Sequence, residues 1–369
     1  MRSSRYPSRI SVVRPPDLHT QSLADILDRM TVEGELYEPL PGGKVLCYAC
    51  GHRCTIFPGK RGICRVRFNE NGILRVPWGY VGALQADPIE KKPFHHVLPG
   101  SLILTFGMLG CDYHCPGCLN FLTSQALRDP TAGVAPMPIG PSDIRDLARR
   151  TGGALVGSSY NEPLITSEWA VAIFEEAKRA GLRTCYISNG NATKEVLEYL
   201  RPWTDCYKID LKAFNDKNYR FLGGRLGTVL DTIAMVHSMG FWTEIVTLVI
   251  PGFNDSDDEL RAAAGHIASV SPFIPWHVTA FHKDYKMTGP DNTPAETLCR
   301  AAQLGEAAGL KYVYAGNLPG RVGRYEHTFC HQCGTLLIER HGNLIIQDRL
   351  SPTLGRCPDC GSTIPGIWH

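Results

Sequence analysis

The 369-residue sequence predicts an α/β protein built on a complete or partial (β/α) TIM-like barrel, with small cysteine-rich modules at both ends. Between about 101 and 318, short apolar runs alternate with helical stretches, and such alternation implies a parallel sheet. Eleven of the 14 cysteines fall into three compact groups, one inside this region and one on each side of it. A doubly wound open sheet is the alternative architecture for the same alternation.

Composition divides the chain into four parts. We expect residues 1–40 to form a tail and a short amphipathic helix, and residues 41–98 to form a four-cysteine module that needs a ligand to fold. Residues 99–326 carry the barrel, and residues 327–369 form a second small cysteine module. The Arg- and Ser-rich start, MRSSRYPSRISVVRPP, fits a disordered tail, with a transit peptide as the alternative.

Seven strands and five helices are predicted inside the barrel region. The strands are SLILTFGML, ALVGSSY, TCYISNG, CYKIDLKAF, WTEIVTLVIPG, WHVTAF and KYVYAGN. The helices are SEWAVAIFEEAKRAGL, TKEVLEYLRPW, LGTVLDTIAMVHSMGF, DELRAAAGHIASV and AETLCRAAQLGEAAGL. Three of these helices end in a glycine, at Gly181, Gly240 and Gly309, as a left-handed C-terminal cap favours.

Charge and cysteine spacing narrow the class of protein. A formal charge of +2 gives no reason to expect nucleic acid or an anionic membrane as a partner, and no apolar run reaches the length of a membrane span. The close cysteine spacings suit metal ligands better than disulfide cross-links, the weaker alternative, and no signal peptide is recognised, so we expect reduced thiols in a cytoplasmic protein. Cys185, Cys206 and Cys299 stand alone and are expected to be small buried apolar residues.

The stretch CDYHCPGC follows the first predicted barrel strand and places Cys111, Cys115 and Cys118 at C-x3-C-x2-C spacing. In a barrel, reactive groups gather at the carboxyl ends of the strands. Three thiolates there fit a zinc ion with an open position, or three irons of a [4Fe–4S] cluster whose fourth iron binds a small molecule. A structural zinc with His114 as its fourth ligand is the alternative.

Polar motifs follow the later strands: SSYNEP, SNGN, IDLK, VIPGFND, WHVTAFH and AGNLPG. Asp210 and Lys212 are two residues apart on an extended segment, so their side chains point to one face. An ion pair facing a cofactor inside the barrel explains them better than a solvated strand end, because an unpaired inward charge is costly. His277 and His282 are expected to be structural rather than catalytic.

The three-cysteine loop at the end of a first barrel strand resembles that of the radical S-adenosylmethionine (SAM) family. The resemblance implies that the amino and carboxylate groups of SAM chelate the free iron of a [4Fe–4S] cluster. One electron then cleaves SAM to a 5′-deoxyadenosyl radical, which abstracts hydrogen from a substrate. By the same resemblance, the residues expected to contact SAM are Asn161, Glu162, Asn189, Asp210 and Lys212. Gly117 departs from the family pattern, which often has an aromatic residue there against the adenine, a role that Tyr113 or Phe121 could take.

The two flanking cysteine groups have metal-ligand spacings. Cys330, Cys333, Cys357 and Cys360 form two C-x2-C knuckles, as in a zinc ribbon, so Zn²⁺ is expected there, with iron or an Fe–S cluster as the alternative. Cys47, Cys50, Cys54 and Cys64 have C-x2-C-x3-C-x9-C spacing, which suits Zn²⁺ or an auxiliary [4Fe–4S] cluster, with His52 able to replace one thiolate. The nearby cations Lys60, Arg61, Arg65 and Arg67 are expected to favour an anionic thiolate centre or to form a solvated face.

Longer stretches identify the chain as similar to the AmmeMemoRadiSam system radical SAM enzymes, which are related to pyruvate formate-lyase activating enzymes. The matching text runs from about 36 to 368 and includes CYACGHRC, DPIEKKPFHHVLPG, YKIDLKAF, PWHVTAFHKDYKM and CPDCGSTIPGIW. The resemblance implies a radical SAM enzyme of unknown substrate, a protein being one class. It also implies a reductant such as flavodoxin or ferredoxin, and Memo-type and AMMECR-type partner proteins.

Two other hypotheses stand beside the radical SAM enzyme of unknown substrate. A zinc-dependent nucleic-acid-binding or adaptor protein could be built from the four-cysteine modules, but the near-neutral charge argues against it. Alternatively, the enzyme acts on a protein partner that docks on the C-terminal module. Deletion of residues 327–369 is then expected to spare SAM cleavage and abolish modification of the partner.

Overall fold

The computed structural model describes residues 22–369, so the predicted N-terminal tail lies largely outside the described residues. The expected short helix is present as α1 (Leu23–Arg29). It begins at Ser22, whose hydroxyl accepts the Asp25 backbone N–H at 3.2 Å, while the Asp25 carboxylate accepts the Ser22 backbone N–H at 3.2 Å. This reciprocal capping box fixes the start of the helix.

Short strands form the N-terminal cysteine module. They are β1 (Thr31–Glu33), β2 (Tyr37–Leu40), β3 (Lys44–Cys47), β4 (Thr55–Ile56), β5 (Phe68–Glu70), β6 (Ile73–Pro77), β7 (Tyr80–Val81) and β8 (Ala83–Pro88). Two antiparallel three-stranded sheets result, with orders β1-β6-β5 and β2-β3-β4. The last strand, β8, leaves the module and pairs with the main sheet.

The main sheet contains the seven strands that the sequence predicts. In chain order they are β9 (Leu102–Gly107), β11 (Gly153–Ser158), β12 (Arg183–Ser188), β13 (Cys206–Asp210), β14 (Trp242–Val249), β15 (Trp276–Ala280) and β16 (Val313–Gly316). The short strand β10 (Met137–Pro138) comes between β9 and β11 in the chain and pairs with β7 outside this sheet. The sheet order is β16-β15-β14-β13-β12-β11-β9-β8, parallel throughout except for β8. The predicted α/β fold with a partial barrel is therefore confirmed.

Helices connect these strands. They are α2 (Phe121–Ser124), α3 (Pro141–Arg150), α4 (Ser167–Arg179), α5 (Lys194–Leu200), α6 (Asp216–Leu222), α7 (Leu226–Ser238), α8 (Asp257–Val270) and α9 (Ala295–Ala307). Helices α4, α5, α7, α8 and α9 are the predicted five, and Gly181, Gly240 and Gly309 follow their helices with φ of 76°, 79° and 99°. Every helix within residues 22–369 is too short or too polar to span a bilayer.

The segment between β8 and β9 enters the barrel near the amino ends of β14–β16. Glu244 of β14 accepts the backbone N–H groups of His95 and His96, each at 3.0 Å. Phe94 and Val97 pack in one apolar cluster with the lone cysteines Cys185 and Cys206, which are fully buried as predicted. The third lone cysteine, Cys299, is only partly buried, so the prediction for it is wrong. This segment, 93–98, is called the plug below.

The C-terminal module contacts the plug at the same end of the barrel. Its strands are β17 (Thr328–Phe329), β18 (Leu336–His341) and β19 (Leu344–Asp348), which form an antiparallel sheet. Val97 of the plug forms a parallel bridge with Ile367, and Arg340 Nη2 donates to the His95 carbonyl at 2.9 Å. The plug and the C-terminal module therefore meet at the amino end of the barrel.

Candidate active site at the carboxyl edge of the sheet

The three-cysteine loop leaves β9 at a close approach of two backbone segments. A Cβ on Gly107 would lie 2.3 Å from the Ser159 carbonyl oxygen, so only glycine fits at this position. Cys111, Cys115 and Cys118 follow on a loop that is partly buried at the carboxyl edge of the sheet. The sheet topology thus places the thiols where a parallel α/β sheet binds its ligands.

Asp112, which the sequence analysis did not single out, anchors this loop. Its carboxylate is fully buried and accepts one N–H from the Asn189 side chain and one from the Asn191 side chain, each at 2.8 Å. The loop after β12 is therefore tied directly to the residue that follows Cys111. Two features of the sequence could have indicated this contact: an acid directly after Cys111, and two asparagines, Asn189 and Asn191, at the end of the strand β12.

The surroundings of the thiols suit an anionic metal–sulfur centre. The Tyr113 backbone N–H donates to Cys111 Sγ at 3.4 Å, and Ser124 Oγ lies 3.1 Å from Cys118 Sγ. Burial raises the pKa of Cys115 to about 12, an effect that the nearby Lys212 opposes. A bare thiolate is thus disfavoured here, and a bound metal cation would stabilise it.

Glu162 lies at the centre of the polar strand ends. Its carboxylate accepts the Ser188 hydroxyl at 2.7 Å, the Asn189 backbone N–H at 2.7 Å and the Leu164 backbone N–H at 3.1 Å. Burial, followed by the nearby charge of Asp112, raises the pKa of Glu162 to about 8. Glu162 therefore joins the loops after β11 and β12, and a cation beside it would favour its ionised form.

Asp210 and Lys212 lie on one face of the strand end, with a second lysine beside them. Lys208 Nζ is 2.6 Å from Asp210 Oδ1, and Lys212 Nζ is 3.5 Å from Asp210 Oδ2. Asp210 together with the thiols of Cys115 and Cys118 raises the pKa of Lys212 against the opposing effect of burial. Because Asp210 and Lys212 are 32% and 28% exposed, they are the most accessible of the predicted SAM contacts.

Asn161 and Asn189 have a different environment. Both are buried, and their side chains bond to protein groups: Asn161 Oδ1 accepts the Met108 N–H at 3.0 Å, and Asn189 bonds to Asp112. The structure thus brings all five predicted SAM contacts to one edge of the sheet. Two of them, Asp210 and Lys212, are partly exposed, and the other three bond to the loops.

Gly117 is surrounded by side chains from another part of the chain. A Cβ there would lie 3.2 Å from Met287 Sδ and 3.5 Å from the ring of Phe281. The Lys286 backbone N–H donates to the Pro116 carbonyl at 2.9 Å, which holds residues 281–287 over the loop. These two side chains occupy the space beside Gly117.

The aromatic residues considered from the sequence lie elsewhere around the loop. Tyr113 is fully buried against the α6–α7 turn, where a Cβ on Gly224 would lie 2.2 Å from its hydroxyl oxygen. Phe121 stacks on Tyr285 with ring centroids 4.5 Å apart. His114, the alternative zinc ligand, lies against the end of α6, where a Cβ on Gly223 would be 2.7 Å from its ring.

His277 has a structural environment, as expected. Its Nε2 lies 2.6 Å from Glu244 Oε2, and its ring stacks on Tyr314. Both groups are buried near the plug, away from the carboxyl edge of the sheet. His282, in contrast, is exposed.

The C-terminal cysteines converge on one point. Within residues 22–369, a group of thiols close enough for a single ion is found at Cys330, Cys333, Cys357 and Cys360, whose Sγ atoms all lie within 4.8 Å of one another. The Thr335 hydroxyl lowers the pKa of Cys333 to about 6, and the Ser362 hydroxyl lowers that of Cys360. Burial, in contrast, raises the pKa of Cys330 to about 12. Four sulfur atoms that converge on one point suit a tetrahedral cation such as zinc.

The N-terminal cysteines lie beside the three-cysteine loop. Cys47, Cys50 and Cys64 are buried, and Cys54 is partly buried. Burial raises the pKa of Cys64 to about 12, with the Cys47 thiol adding to the effect. These four thiols thus belong to a module that contacts the three-cysteine loop.

The cations near these cysteines do not form one solvated face. Arg67 is buried and pairs with Glu168 through two 2.8 Å hydrogen bonds, while Arg61 bonds to Asp28 at 2.5 Å. Lys60 and Arg65 are exposed. The four cations therefore do not act as one group. Arg67 lies in the interior, and the other three lie toward the surface.

Comparison with known proteins gives consistent matches. A family model described as the Radical SAM superfamily matches residues 106–264, which include the three-cysteine loop and the strand ends around it. The uncharacterized protein MJ0808 of Methanocaldococcus jannaschii is 35% identical over 334 residues, covering 90% of this chain and 98% of that protein.

Two more distant matches concern named enzymes. The pyruvate formate-lyase 1-activating enzyme of Escherichia coli K12 is 25% identical over 231 residues, covering 58% of this chain and 93% of that enzyme. The crystal structure of a radical SAM methyltransferase from Sphaerobacter thermophilus aligns with a TM-score of 0.45 and 15% identity, covering 61% of this chain and 70% of that one.

Proposed function

Because the chain belongs to the radical SAM superfamily, we propose that it is an activating-type enzyme that uses Cys111, Cys115 and Cys118 to hold a [4Fe–4S] cluster and binds SAM beside it. The observation that carries this proposal is the loop itself. Three cysteines of one loop lie at the carboxyl edge of the sheet, with a lysine close enough to the thiols for them to raise its pKa. When bound, the cluster and SAM supply one-electron cleavage of the sulfonium to a 5′-deoxyadenosyl radical.

The chain's own residues hold and orient the cofactors. Asp210 and Lys212 are the proposed direct contacts to SAM, because they combine partial exposure with proximity to the thiols. Asn161, Glu162 and Asn189 remain proposed SAM contacts, and their bonds to one another and to Asp112 fix the loops around the site. The buried Glu162 carboxylate is suited to the ammonium group of SAM, whose charge would lower its raised pKa.

Residues 281–287 supply the apolar wall that Gly117 lacks. Phe281 and Met287 lie against Gly117, and a ring and a thioether are both suitable partners for a flat base. We therefore assign adenine packing to these two side chains.

The substrate class that we favour is a protein, by analogy with the activating-enzyme relatives. The finer assignment to the AmmeMemoRadiSam system, with Memo-type and AMMECR-type partners and a flavodoxin or ferredoxin reductant, is supported by the sequence motifs. Zinc at the C-terminal centre is supported by the convergence of its four thiols. The adaptor hypothesis has no comparable support, and we do not retain it.

Anaerobic reconstitution with ferrous iron and sulfide, followed by incubation with SAM and dithionite, tests the proposal. We expect 5′-deoxyadenosine from the wild-type chain and none from the Cys118→Ser variant. The Cys299→Ser variant, altered at a cysteine outside the three groups, is the matched control and should retain the activity. Wild-type protein with a full cluster that forms no 5′-deoxyadenosine would refute the proposal.

A further inference from the structure

The N-terminal cysteines are buried or partly buried, and some of them pack in the same apolar core as the barrel. Cys47 ends β3, and Cys50 and Cys54 lie in the loop that leads to β4. Cys47 and Cys50 are 6% and 7% exposed and belong to the same apolar core as Tyr113 of the three-cysteine loop. The module is thus packed directly onto the loop of the proposed active site.

One peptide group connects the two cysteine centres. His52, two residues after Cys50, places its Nε2 at 3.2 Å from the Asp112 carbonyl oxygen. A carbonyl can only accept, so Nε2 carries the proton in this contact. The N–H of the same peptide group belongs to Tyr113 and donates to Cys111 Sγ at 3.4 Å. A hydrogen-bonded path therefore runs from the first cysteine loop to a thiol of the second.

Two further contacts hold the loops in this arrangement. The Gly51 backbone N–H donates to the Asn191 carbonyl at 2.7 Å, and a Cβ on Gly51 would lie 2.4 Å from Asn191 Oδ1. Arg128 Nη2 donates to the Ile63 carbonyl at 2.8 Å and to the Cys111 carbonyl at 3.1 Å. The guanidinium thus bridges the residue before Cys64 and the first cysteine of the active-site loop.

A buried cation lies beside the N-terminal thiols. Arg67 is 1% exposed, and its Nε has no hydrogen-bond partner among residues 22–369. A buried donor without a partner is costly, and an anionic metal–thiolate group would satisfy it. Its terminal nitrogens, in contrast, are occupied by Glu168.

Two features favour a cluster over a single ion. The C-terminal thiols all lie within 4.8 Å of one another, and among the described residues that spacing is not shared by the N-terminal thiols. Ligands of a multi-iron cluster lie farther apart than ligands of one ion, because each binds a different iron. The C-x2-C-x3-C-x9-C spacing also lacks the paired knuckles of a zinc ribbon.

We propose that Cys47, Cys50, Cys54 and Cys64 bind a second iron–sulfur cluster, and that His52 joins it to the loop of the first. The two centres then share one hydrogen-bonded peptide group. Donors to sulfur and solvent exclusion set the reduction potential of such clusters. His52 acts here as a positioning residue: it polarises the peptide whose N–H bonds to Cys111.

Metal analysis of a variant that lacks the first site tests the cluster. We replace Cys111, Cys115 and Cys118 with serine, load the chain anaerobically with ferrous iron, sulfide and zinc, and count metals. About four irons and about one zinc per chain are expected to remain, the irons on the N-terminal cysteines. Two zinc atoms and no iron, or no metal on these cysteines, would overturn the proposal.

Two double variants assign each metal to its cysteine group, so the test does not depend on the folding of the triple-serine variant alone. Cys50→Ser with Cys64→Ser should reduce the iron of the otherwise wild-type chain by about half and leave zinc unchanged. The matched control, Cys333→Ser with Cys360→Ser at exposed positions, should lose zinc and keep the iron. The reverse pattern would contradict the assignment. These counts do not depend on SAM cleavage, so failure of the proposed function and failure of this inference are distinguishable.

The role of His52 has a separate readout. Without its N–H on the peptide carbonyl, the Tyr113 N–H becomes a weaker donor to Cys111, which disfavours the reduced, more anionic cluster. His52→Phe should therefore shift the reduction potential of the first cluster to more negative values, and His52→Gln, which keeps a donor, should restore it. Equal potentials in the wild type and His52→Phe would contradict this role.

Discussion

At the scale of single residues, buried carboxylates organise the loops around the cysteines. Asp112 holds two asparagine side chains, and Glu162 holds three donors from two segments. A buried carboxylate is tolerated when its oxygens are saturated with hydrogen bonds. These two acids therefore fix the geometry of the site before any cofactor binds.

Replacement of Asp112 should show this directly. Asp112→Ala leaves the side-chain amides of Asn189 and Asn191 buried without their acceptor, and each unpaired donor costs about 1–3 kcal/mol. We expect the free energy of unfolding to fall by about 2–5 kcal/mol, measured by guanidinium denaturation. Asp258→Ala, at a fully exposed side chain, is the control and should change it by less than about 0.5 kcal/mol. Equal effects of the two variants would contradict the anchoring role.

Gly117 gives a second test at this scale. Gly117→Trp must displace Met287 and Phe281, and such overpacking costs about 1–3 kcal/mol. Met287→Ala in the same chain should recover most of that loss, because it empties the space that the indole needs. The free energies of unfolding of both single variants and the double variant measure this coupling. Additive effects would show that Met287 does not occupy the space beside Gly117.

At the scale of elements, the plug explains why this barrel needs no closed ring of strands. His95 and His96 bring their backbone donors to Glu244, and the His96 ring bonds to the Tyr314 hydroxyl and the Pro365 carbonyl, each at 2.7 Å. The plug fills the amino end of the sheet, so the carboxyl end remains the accessible side. Burial lowers the pKa of His96 to about 4.

The plug should make stability depend on pH. Above about 6.5, His96 is neutral in both the folded and the unfolded chain. Between about 6.5 and 4 the unfolded chain binds a proton that the folded chain does not, so stability is lost as the pH falls. We expect His96 to contribute a loss of about 2 kcal/mol between pH 6.5 and 5. In His96→Gln this part of the pH dependence of the free energy of unfolding should be absent. The control His237→Gln, at an exposed position, should behave like the wild type. Identical pH dependence in the wild type and both variants would contradict the assignment to His96.

The elements were largely predictable because their patterns are local. All seven parallel strands and five of the connecting helices follow from apolar runs and glycine caps in the sequence. Helix α3 was missed because its sequence, PSDIRDLARR, is mostly polar and charged, although Ile144 and Ala148 give it a buried apolar side. The plug was missed because a buried His-His pair looks like a polar loop. Asp112 and Met287 were missed because their roles depend on contacts with residues far away in the chain.

At the scale of the whole molecule, the two cysteine modules have different relations to the barrel. The N-terminal module packs on the active-site loop, and the C-terminal module packs on the plug. Arg340 is buried and donates both to the His95 carbonyl and to the Thr328 hydroxyl. The C-terminal module is therefore part of the barrel's closure as well as a candidate docking surface.

Because the C-terminal module contacts the plug, deletion of residues 327–369 should affect the stability of the barrel. Deletion of residues 327–369 removes the partners of the His95 carbonyl and of the His96 ring, so it should destabilise the barrel by more than about 2 kcal/mol. The truncated chain should accumulate in the insoluble fraction, rather than retain SAM cleavage as the sequence suggested. A soluble truncation with wild-type unfolding behaviour would contradict this.

Docking on the C-terminal module is better tested at its surface. Leu344 and Ile346 are 62% and 54% exposed on β19. The double variant Leu344→Ser with Ile346→Ser should leave SAM cleavage unchanged. If the protein substrate binds at β19, the same variant should reduce modification of that substrate. The ratio of substrate modification to 5′-deoxyadenosine formation measures this, and an unchanged ratio would exclude β19 as the docking site.

The most direct test of the account is whether SAM reaches the cluster on the three-cysteine loop. Electron paramagnetic resonance of the dithionite-reduced, anaerobically loaded chain isolates this cluster as the signal that is lost in Cys115→Ser. We predict that addition of SAM changes the g-values of that signal, because SAM becomes a ligand of the iron that the protein leaves free. A signal from this cluster that stays the same at saturating SAM would contradict the account.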